Sequence, residues 1–369
     1  MPPTQSGLRS SHPAVGRAEM MRIETVCLDK LGSRRMPLRN RIDRALRAGT
    51  LAVAVTLACL AVQGTISAQP YPSRPVKLIV PFPAGGSIDM VPRVLGPAMS
   101  DLLGQPVVIE NRPGATGRIG VIAARQSAPD GYSFGIANAV THGISPAVNP
   151  NVGYDPVSDM VPVVWLGEAP NGFFVNAKLP ARSPTELADL IRKNPGKYNY
   201  GSGGHGTGQH VNATIFLSTM GVPQSASTHV PYQGEAPALN DLVGGHVSYM
   251  ITSGSKDLVD SGKLRILATT GRKRWFRYPD VPTTAEIGIP DIYYTGWVGI
   301  VAPKGTPQSV IDRLNEVANK ALQDPKAREV LAKNGYEPRG GTAADFAEHL
   351  RNEATRWRTQ VTKTGVKFH

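Results

Sequence analysis

The chain has 369 residues, 41% of them hydrophobic, and a formal net charge of +12. That length exceeds one ordinary core and suits two domains. The basic excess is uneven: residues 1–68 hold ten Lys/Arg and four Asp/Glu, leaving 30 and 24 beyond them, a balance of +6. The remainder suits an anionic ligand, whereas no dense basic block interleaved with aromatics argues for nucleic acid.

The N-terminal region reads as an export leader. Residues 48–62 form the one long apolar run, too short to span a bilayer comfortably. Arg39, Arg41, Arg44 and Arg47 precede it, and Ile66-Ser67-Ala68 follows as a weak small-residue cleavage site. The basic part is unusually long. Either translation starts at Met36, or Ser33-Arg34-Arg35-Met36-Pro37-Leu38-Arg39 is an imperfect twin-arginine motif. The later start is preferred, because Pro37 stands where an aromatic is expected. Cys27 and Cys59 both lie upstream of the cut, so a processed chain has no disulfide, thiolate metal site or cysteine nucleophile. Cys59 is a poor lipidation site, since Thr56 stands where a lipoprotein leader has Leu.

Beyond Tyr71, apolar runs alternate with amphipathic stretches. Strands are expected at 76–80, 106–110, 132–137, 161–166, 172–176, 198–200, 246–251, 264–269 and 297–302. Helices are expected at 87–102, 117–126, 183–193, 207–219, 235–243, 307–323, 325–334 and 342–364. This alternation predicts α/β layers with largely parallel sheets. Pro92 and Pro97 fall inside the first helix, where a kink or early end is expected. In the last helix Phe346, Leu350, Trp357 and Val361 share one face, with the charged residues largely elsewhere. Arg272-Lys-Arg-Trp-Phe-Arg277 reads as a solvated loop, because Pro279 and Pro282 follow.

Five polar, glycine-rich loops stand at strand-to-helix junctions: 81–89, 110–120, 138–142, 200–210 and 230–239. In open α/β sheets ligands bind where such loops converge. The first is the most informative. After Leu78-Ile-Val80, Pro81 and Pro83 stop the strand, Gly85 and Gly86 permit a tight turn, and Ser87 can cap a helix starting at Ile88. Free N–H groups and a helix dipole then face one spot, which suits a carboxylate. Asp89 suits the same dipole as a first-turn acid, or could grip a ligand amine or hydroxyl.

Several catalytic readings fail. Gly201-x-Gly203-x-x-Gly206 matches a dinucleotide fingerprint formally, but residues 218–234 contain no Asp or Glu to complete it. An anion cradle from Ser202, Thr207 and the following helix is the alternative. His142, His205 and His210 have no metal-binding spacing, and a Ser/His hydrolase lacks its Gly-x-Ser-x-Gly elbow. No catalytic residue, metal or cofactor is assigned. Trp297, near Tyr293 and Tyr294, either caps a cleft or packs in the core.

Together the loops resemble the Bug family of extracytoplasmic solute receptors, the substrate-binding subunits of tripartite tricarboxylate transporters. The matching segments are residues 81–89, 104–117, 200–210, 230–234, 241–245, 279–288 and 302–307. The resemblance implies a two-domain periplasmic binding protein of the type II-like clamshell form, α/β in each domain, with two interdomain crossover strands. These cross near Gly172–Asn176 and Thr295–Ile300. Residues 71–173 with 297–369 would form one domain and 174–296 the other, after a leader at 1–68. Phe82, Pro83, Ala84, Gly85, Gly86 and Ser87 would meet a small carboxylate, with Asp89 available to an amine. Ala115, Thr116, Asn138, Thr141, His142, Ser202, Gly203, Thr207, His210, Tyr232 and Gly234 would line the rest. The partners implied are the ligand and membrane permease subunits, or else a sensor protein, for a monomeric periplasmic receptor. A secreted Ser/His hydrolase is the alternative from another class. One departure stands out: after Val247-Ser-Tyr-Met250 the family has an acidic or amide residue and a longer loop, where this chain has Ile251-Thr-Ser-Gly-Ser255.

Overall fold

The structure is a computed structural model and describes residues 71–149 and 151–364, with Gly49. Apart from Gly49, the leader with its two start sites, cleavage site and both cysteines lies outside the described residues.

The opening unit forms as its residues dictate. β1 (Val76–Val80) buries Val76, Leu78 and Val80 completely. α1 (Ser87–Leu103) follows and runs through both prolines rather than ending early. Val91, Leu95 and Met99 on its inner face are fully buried. At about 1.5–3 kcal/mol each, that burial outweighs the donors the prolines remove. Gly104, left-handed at φ 67°, ends the helix by donating to Ser100 O.

The order continues with β2 (Val107–Asn111), α2 (Arg118–Arg125), β3 (Ser133–Asn138), α3 (Ser145–Val148) and β4 (Met160–Pro170). After β5 (Gly172–Asn176) come α4 (Pro184–Lys193), β6 (Tyr200–Ser202), α5 (Gly208–Thr219), β7 (His229–Pro231), α6 (Glu235–Gly244), β8 (Tyr249–Thr252), α7 (Lys256–Asp260) and β9 (Leu264–Thr269). The chain closes with β10 (Thr295–Pro303), α8 (Gln308–Ala321), α9 (Pro325–Lys333), β11 (Glu337–Pro338) and α10 (Ala343–Thr364).

Two sheets result, ordered β11-β4-β10-β3-β1-β2 and β7-β6-β8-β5-β9. They are mixed rather than largely parallel. β1 is parallel to β2 and β3, and β6 to β7 and β8, while β10, β11 and β5 pair antiparallel with their neighbours. Apart from the β11 edge pair, the antiparallel pairs arise where the chain changes sheet. It leaves the first at Pro170, enters the second at Gly172, and returns at Thr295, which registers against Pro170. Asn171 and Thr270 tie the two passages together: Thr270 N donates to Asn171 O (2.8 Å) and Asn171 N to Thr270 Oγ1 (3.0 Å).

Two expected strands begin later than apolar content suggests. β6 starts at Tyr200 rather than 198, and β8 at Tyr249 rather than 246, because His246 and Val247 donate back to Asp241 O to close α6. β7, β11 and a π-helical turn at Val140–Ile144 were not foreseen.

α10 packs Phe346, Leu350 and Trp357 against the first sheet. Glu353, expected on its outer side, is buried instead. It accepts from Trp297 Nε1 (3.0 Å), Trp357 Nε1 (3.1 Å) and Arg356. Burial pushes the Glu353 carboxyl up, but Arg356 and the indole donors outweigh it and hold it below the usual range. Trp297 is thus a core residue. The 272–277 segment is not a free loop either. Trp275 is buried and donates to Gly335 O (2.9 Å), while Lys273 and Arg274 pair with Glu337 and Glu286.

Candidate functional site

The loops converge as their spacing suggests. A Cβ on Gly117 would stand 2.6 Å from Thr141 Cγ2 and 3.2 Å from the Phe82 ring, so the first three loops meet at this glycine. Asn111 Nδ2 donates to Phe82 O (2.9 Å) and fixes the turn after β1. A Cβ on Gly206 would lie 3.5 Å from the Thr116 side chain, which joins a loop of the first sheet to one of the second. Tyr232 N donates to Ser202 O (2.9 Å), and Gly203 packs against Gly234.

Pro83, Ala84, Gly85, Gly86 and Ser87 are exposed at the head of α1. Ser87 is the first helical residue and does not cap; Gly86 holds the cap position with extended backbone, and no side chain bonds the first-turn amides. α6 repeats the arrangement. Gly234 (φ 118°) precedes it, again without a capping side chain. Both helices therefore direct uncapped N–H groups into the loops, from Ser87, Ile88 and Asp89 at α1 and from Glu235 and Ala236 at α6, where Pro237 has no N–H and Glu235 puts an acid in the first turn. α5 differs, because Thr207 Oγ1 accepts from His210 N (3.5 Å) and donates to Gly204 O (2.8 Å).

Asp89 is fully buried, contrary to its assignment to a ligand amine. Its carboxylate is buried and accepts from Gly85 N (2.8 Å), Arg93 Nε (2.6 Å) and Asn111 Nδ2 (2.7 Å). Burial pushes its carboxyl up, yet the bonds from Arg93, Asn111 and Gly85 prevail and hold it below the usual range. Asp89 thus shapes the turn whose outer amides remain exposed.

Ala115 and Thr116 both adopt positive φ, 47° and 54°. For a β-branched residue this is strained, and such strain collects at ligand sites. Beneath them, Asn138 Oδ1 accepts from Val140 N (3.0 Å) and Thr141 N (3.1 Å), while its Nδ2 is buried without a partner. Thr141 and His142 are buried supports rather than lining. Thr141 O accepts from Tyr154 (2.6 Å), and His142 lies between Tyr154 and Trp297. Burial lowers the His142 pKa to about 4.

In the second sheet, Ser202 is likewise turned inward. Its Oγ donates to Gly204 O (3.0 Å), accepts from Gly204 N (3.1 Å) and meets His229 Nε2 at 2.6 Å. The Tyr232 hydroxyl donates to Asp241 Oδ2 (2.5 Å), and burial followed by that carboxylate pushes its pKa up to about 12. Gly206 N donates to His210 Nδ1 (3.1 Å).

The sequence reading missed a polar chain. Gly203 N donates to Gln209 Oε1 (2.5 Å), Gln209 Nε2 to Thr252 Oγ1 (2.8 Å), and Thr252 to Glu235, which also accepts from Ser253 Oγ (2.9 Å) and Gly254 N (3.2 Å). Glu235 brings an acid to the segment after Met250, where the chain departs from the pattern it resembles. The signal was the unpaired loss of an acidic residue there, with Glu235 in the neighbouring loop. No helix among the described residues is long and apolar enough to cross a membrane.

The chain matches known proteins over nearly all of this structure. It is similar to the protein BugT of Bordetella pertussis, at 35% identity over 86% of this chain and 97% of that one. Among solved structures it is similar to MatC of Rhodopseudomonas palustris with bound malate (30% identity, TM-score 0.72, 79% of this chain and 100% of that chain). It is also similar to R. palustris Rpa4515 with adipate (34% identity, TM-score 0.73, 80% and 99%). These neighbours share the two-sheet periplasmic binding fold. The family described as Tripartite tricarboxylate transporter family receptor matches residues 91–366. With the loops, the two sheets and these matches in agreement, the chain belongs to the tripartite tricarboxylate transporter receptor family of periplasmic solute-binding proteins.

Proposed function

We propose that this protein is exported by its leader, captures a small carboxylate between its two sheets and delivers it to the membrane subunits of a tripartite tricarboxylate-type transporter. The carrying observation is the pair of helix N-termini, α1 behind Gly86 and α6 behind Gly234, whose first-turn amides no side chain caps. α1 offers three first-turn N–H donors and α6 two, Pro237 having none, with a helix N-terminus behind each set, to a carboxylate oxygen. Two such ends suit a ligand with a carboxylate at each end, in keeping with the malate and adipate of the similar structures. The two lobes divide where the chain changes sheet, at Asn171 and again just before Thr295, and ligand bound to both shifts the population toward closure.

A thermal-shift and calorimetric screen of the chain from Gln69 against about a hundred carboxylates, amines and sugars tests this. At 100 times its dissociation constant a ligand adds about 2.7 kcal/mol of stability. A carboxylate is expected to produce that shift. Stabilisation by sugars or amines alone, with mass spectrometry of the denatured protein showing no retained acid, would overturn the reading.

The Ser202–His229 contact at 2.6 Å favours a second reading, a Ser/His hydrolase. Against it, Ser202 is completely buried and its hydroxyl proton is committed to Gly204 O. Ester turnover abolished by Ser202→Ala would support the hydrolase; its absence from the unmodified protein supports the receptor.

A further inference from the structure

Three imidazoles converge beside the carboxylate loops, at one end of the second sheet. His210 comes from the first turn of α5, His205 from the loop before it, and His229 from β7. The sheet assembles them. β6 and β7 are parallel, with Tyr200 in register against His229 and Ser202 against Pro231, and the His229 ring reaches along the pair to Ser202 Oγ (2.6 Å), where the loop carrying His205 leaves β6. One ring nitrogen from each histidine lies within 4.8 Å of the other two. Among the described residues no other group of His, Cys, Asp or Glu meets that condition.

We propose that His205, His210 and His229 bind a divalent transition-metal ion of the zinc class, at an open site with three protein ligands. The proposal stands independently of carboxylate capture. Imidazole suits zinc, nickel and copper, and three histidines with one open position is an established zinc arrangement.

The hydrogen bonds settle the role of His229. Ser202 Oγ gives its hydrogen to Gly204 O, so it accepts from His229 Nε2–H. The lone pair of His229 is then on Nδ1, and Ser202 serves as the outer partner that orients the ligand. His210 accepts the Gly206 amide on Nδ1. Whether the ion takes Nδ1, or takes Nε2 with its proton moved to Nδ1, that amide bond is released. Zinc bonds of about 2.0–2.1 Å place tetrahedral ligand nitrogens roughly 3.4 Å apart, so the rings close in by side-chain rotation. His205 is exposed and supplies both that movement and the entry path. The His210 and His229 rings are stacked, 4.0 Å apart and 5° from parallel, so their in-plane lone pairs meet at one ion only after one ring turns out of the stack. No carboxylate belongs to the cluster, so the bound ion keeps its charge and its open position favours an anion.

The test is calorimetric titration of zinc chloride into the full chain, purified without a histidine tag, stripped with EDTA and held in a carboxylate-free buffer. One equivalent is expected to bind at micromolar concentration or tighter. His205→Ala and His229→Ala should each weaken binding at least tenfold, while His246→Ala, an exposed histidine outside the cluster, leaves it unchanged. His205→Ala should unfold at the same temperature as the parent without metal, which separates ligand loss from misfolding. Cobalt(II) should give visible absorption bands of a nitrogen-ligated ion that disappear in His205→Ala. Binding absent below millimolar zinc, or indifferent to His205→Ala, overturns the proposal.

Discussion

At Asp89 a buried carboxylate holds the turn after β1 by accepting from Gly85, Arg93 and Asn111. Replacing it leaves those donors unpaired. Asp89→Ala is therefore expected to lose about 2 kcal/mol in chemical denaturation, the half-exposed Arg93 keeping the figure below that of a fully buried pair. His142 contributes through its neutral form. Its folded pKa of about 4 lies below the ordinary 6.5, so the unfolded chain binds the proton first as pH falls. The stability it contributes is whole above about pH 6.5 and is lost progressively towards pH 4, by about 3 kcal/mol. Scanning calorimetry should show a shallower fall of Tm over that window in His142→Gln. The sequence could not separate these structural roles from ligand contacts. An acid in a first turn or a histidine in a polar loop suits both, and only the direction of the side chain decides.

At the scale of elements, α1 and α6 begin with glycine where a capping side chain would be the stable choice. Gly86 has φ −78° and ψ 166°, a conformation Asp adopts readily, and a Cβ there meets nothing nearer than Pro83 O at 3.5 Å. Gly86→Asp should thus raise ligand-free stability by a few tenths of a kcal/mol, while its carboxylate competes for the amides and cuts carboxylate affinity at least tenfold. Calorimetry beside denaturation reads both effects. Gly117→Ala should fail on both counts, since φ is 90° and Thr141 Cγ2 stands 2.6 Å from the new atom. Long elements were legible because apolar runs, prolines and glycines punctuate them. β7 and β11 were not, because three and two half-buried or exposed residues carry no alternation to read. His229 was overlooked with β7, and so the third imidazole was missed.

For the molecule as a whole, the two-sheet α/β architecture was legible from the joint pattern of loops, whereas the mixed strand directions were not. Parallel alternation describes each βα unit locally, and the two passages between sheets, with the short edge strand β11, reverse it. The contact between Thr116 and Gly206 spans those sheets. Both cysteines of the chain precede Gln69, so Thr116→Cys with Gly206→Cys in the chain from Gln69 provides a single engineered pair. Oxidation is expected to slow carboxylate exchange at least tenfold, and reductant to restore it, in stopped-flow measurements. Strand order also carries a consequence for biogenesis. β10 lies between β3 and β4, yet it follows the whole second sheet in the chain. During N-to-C synthesis the first sheet therefore waits in two pieces with open edges until residue 303 has emerged.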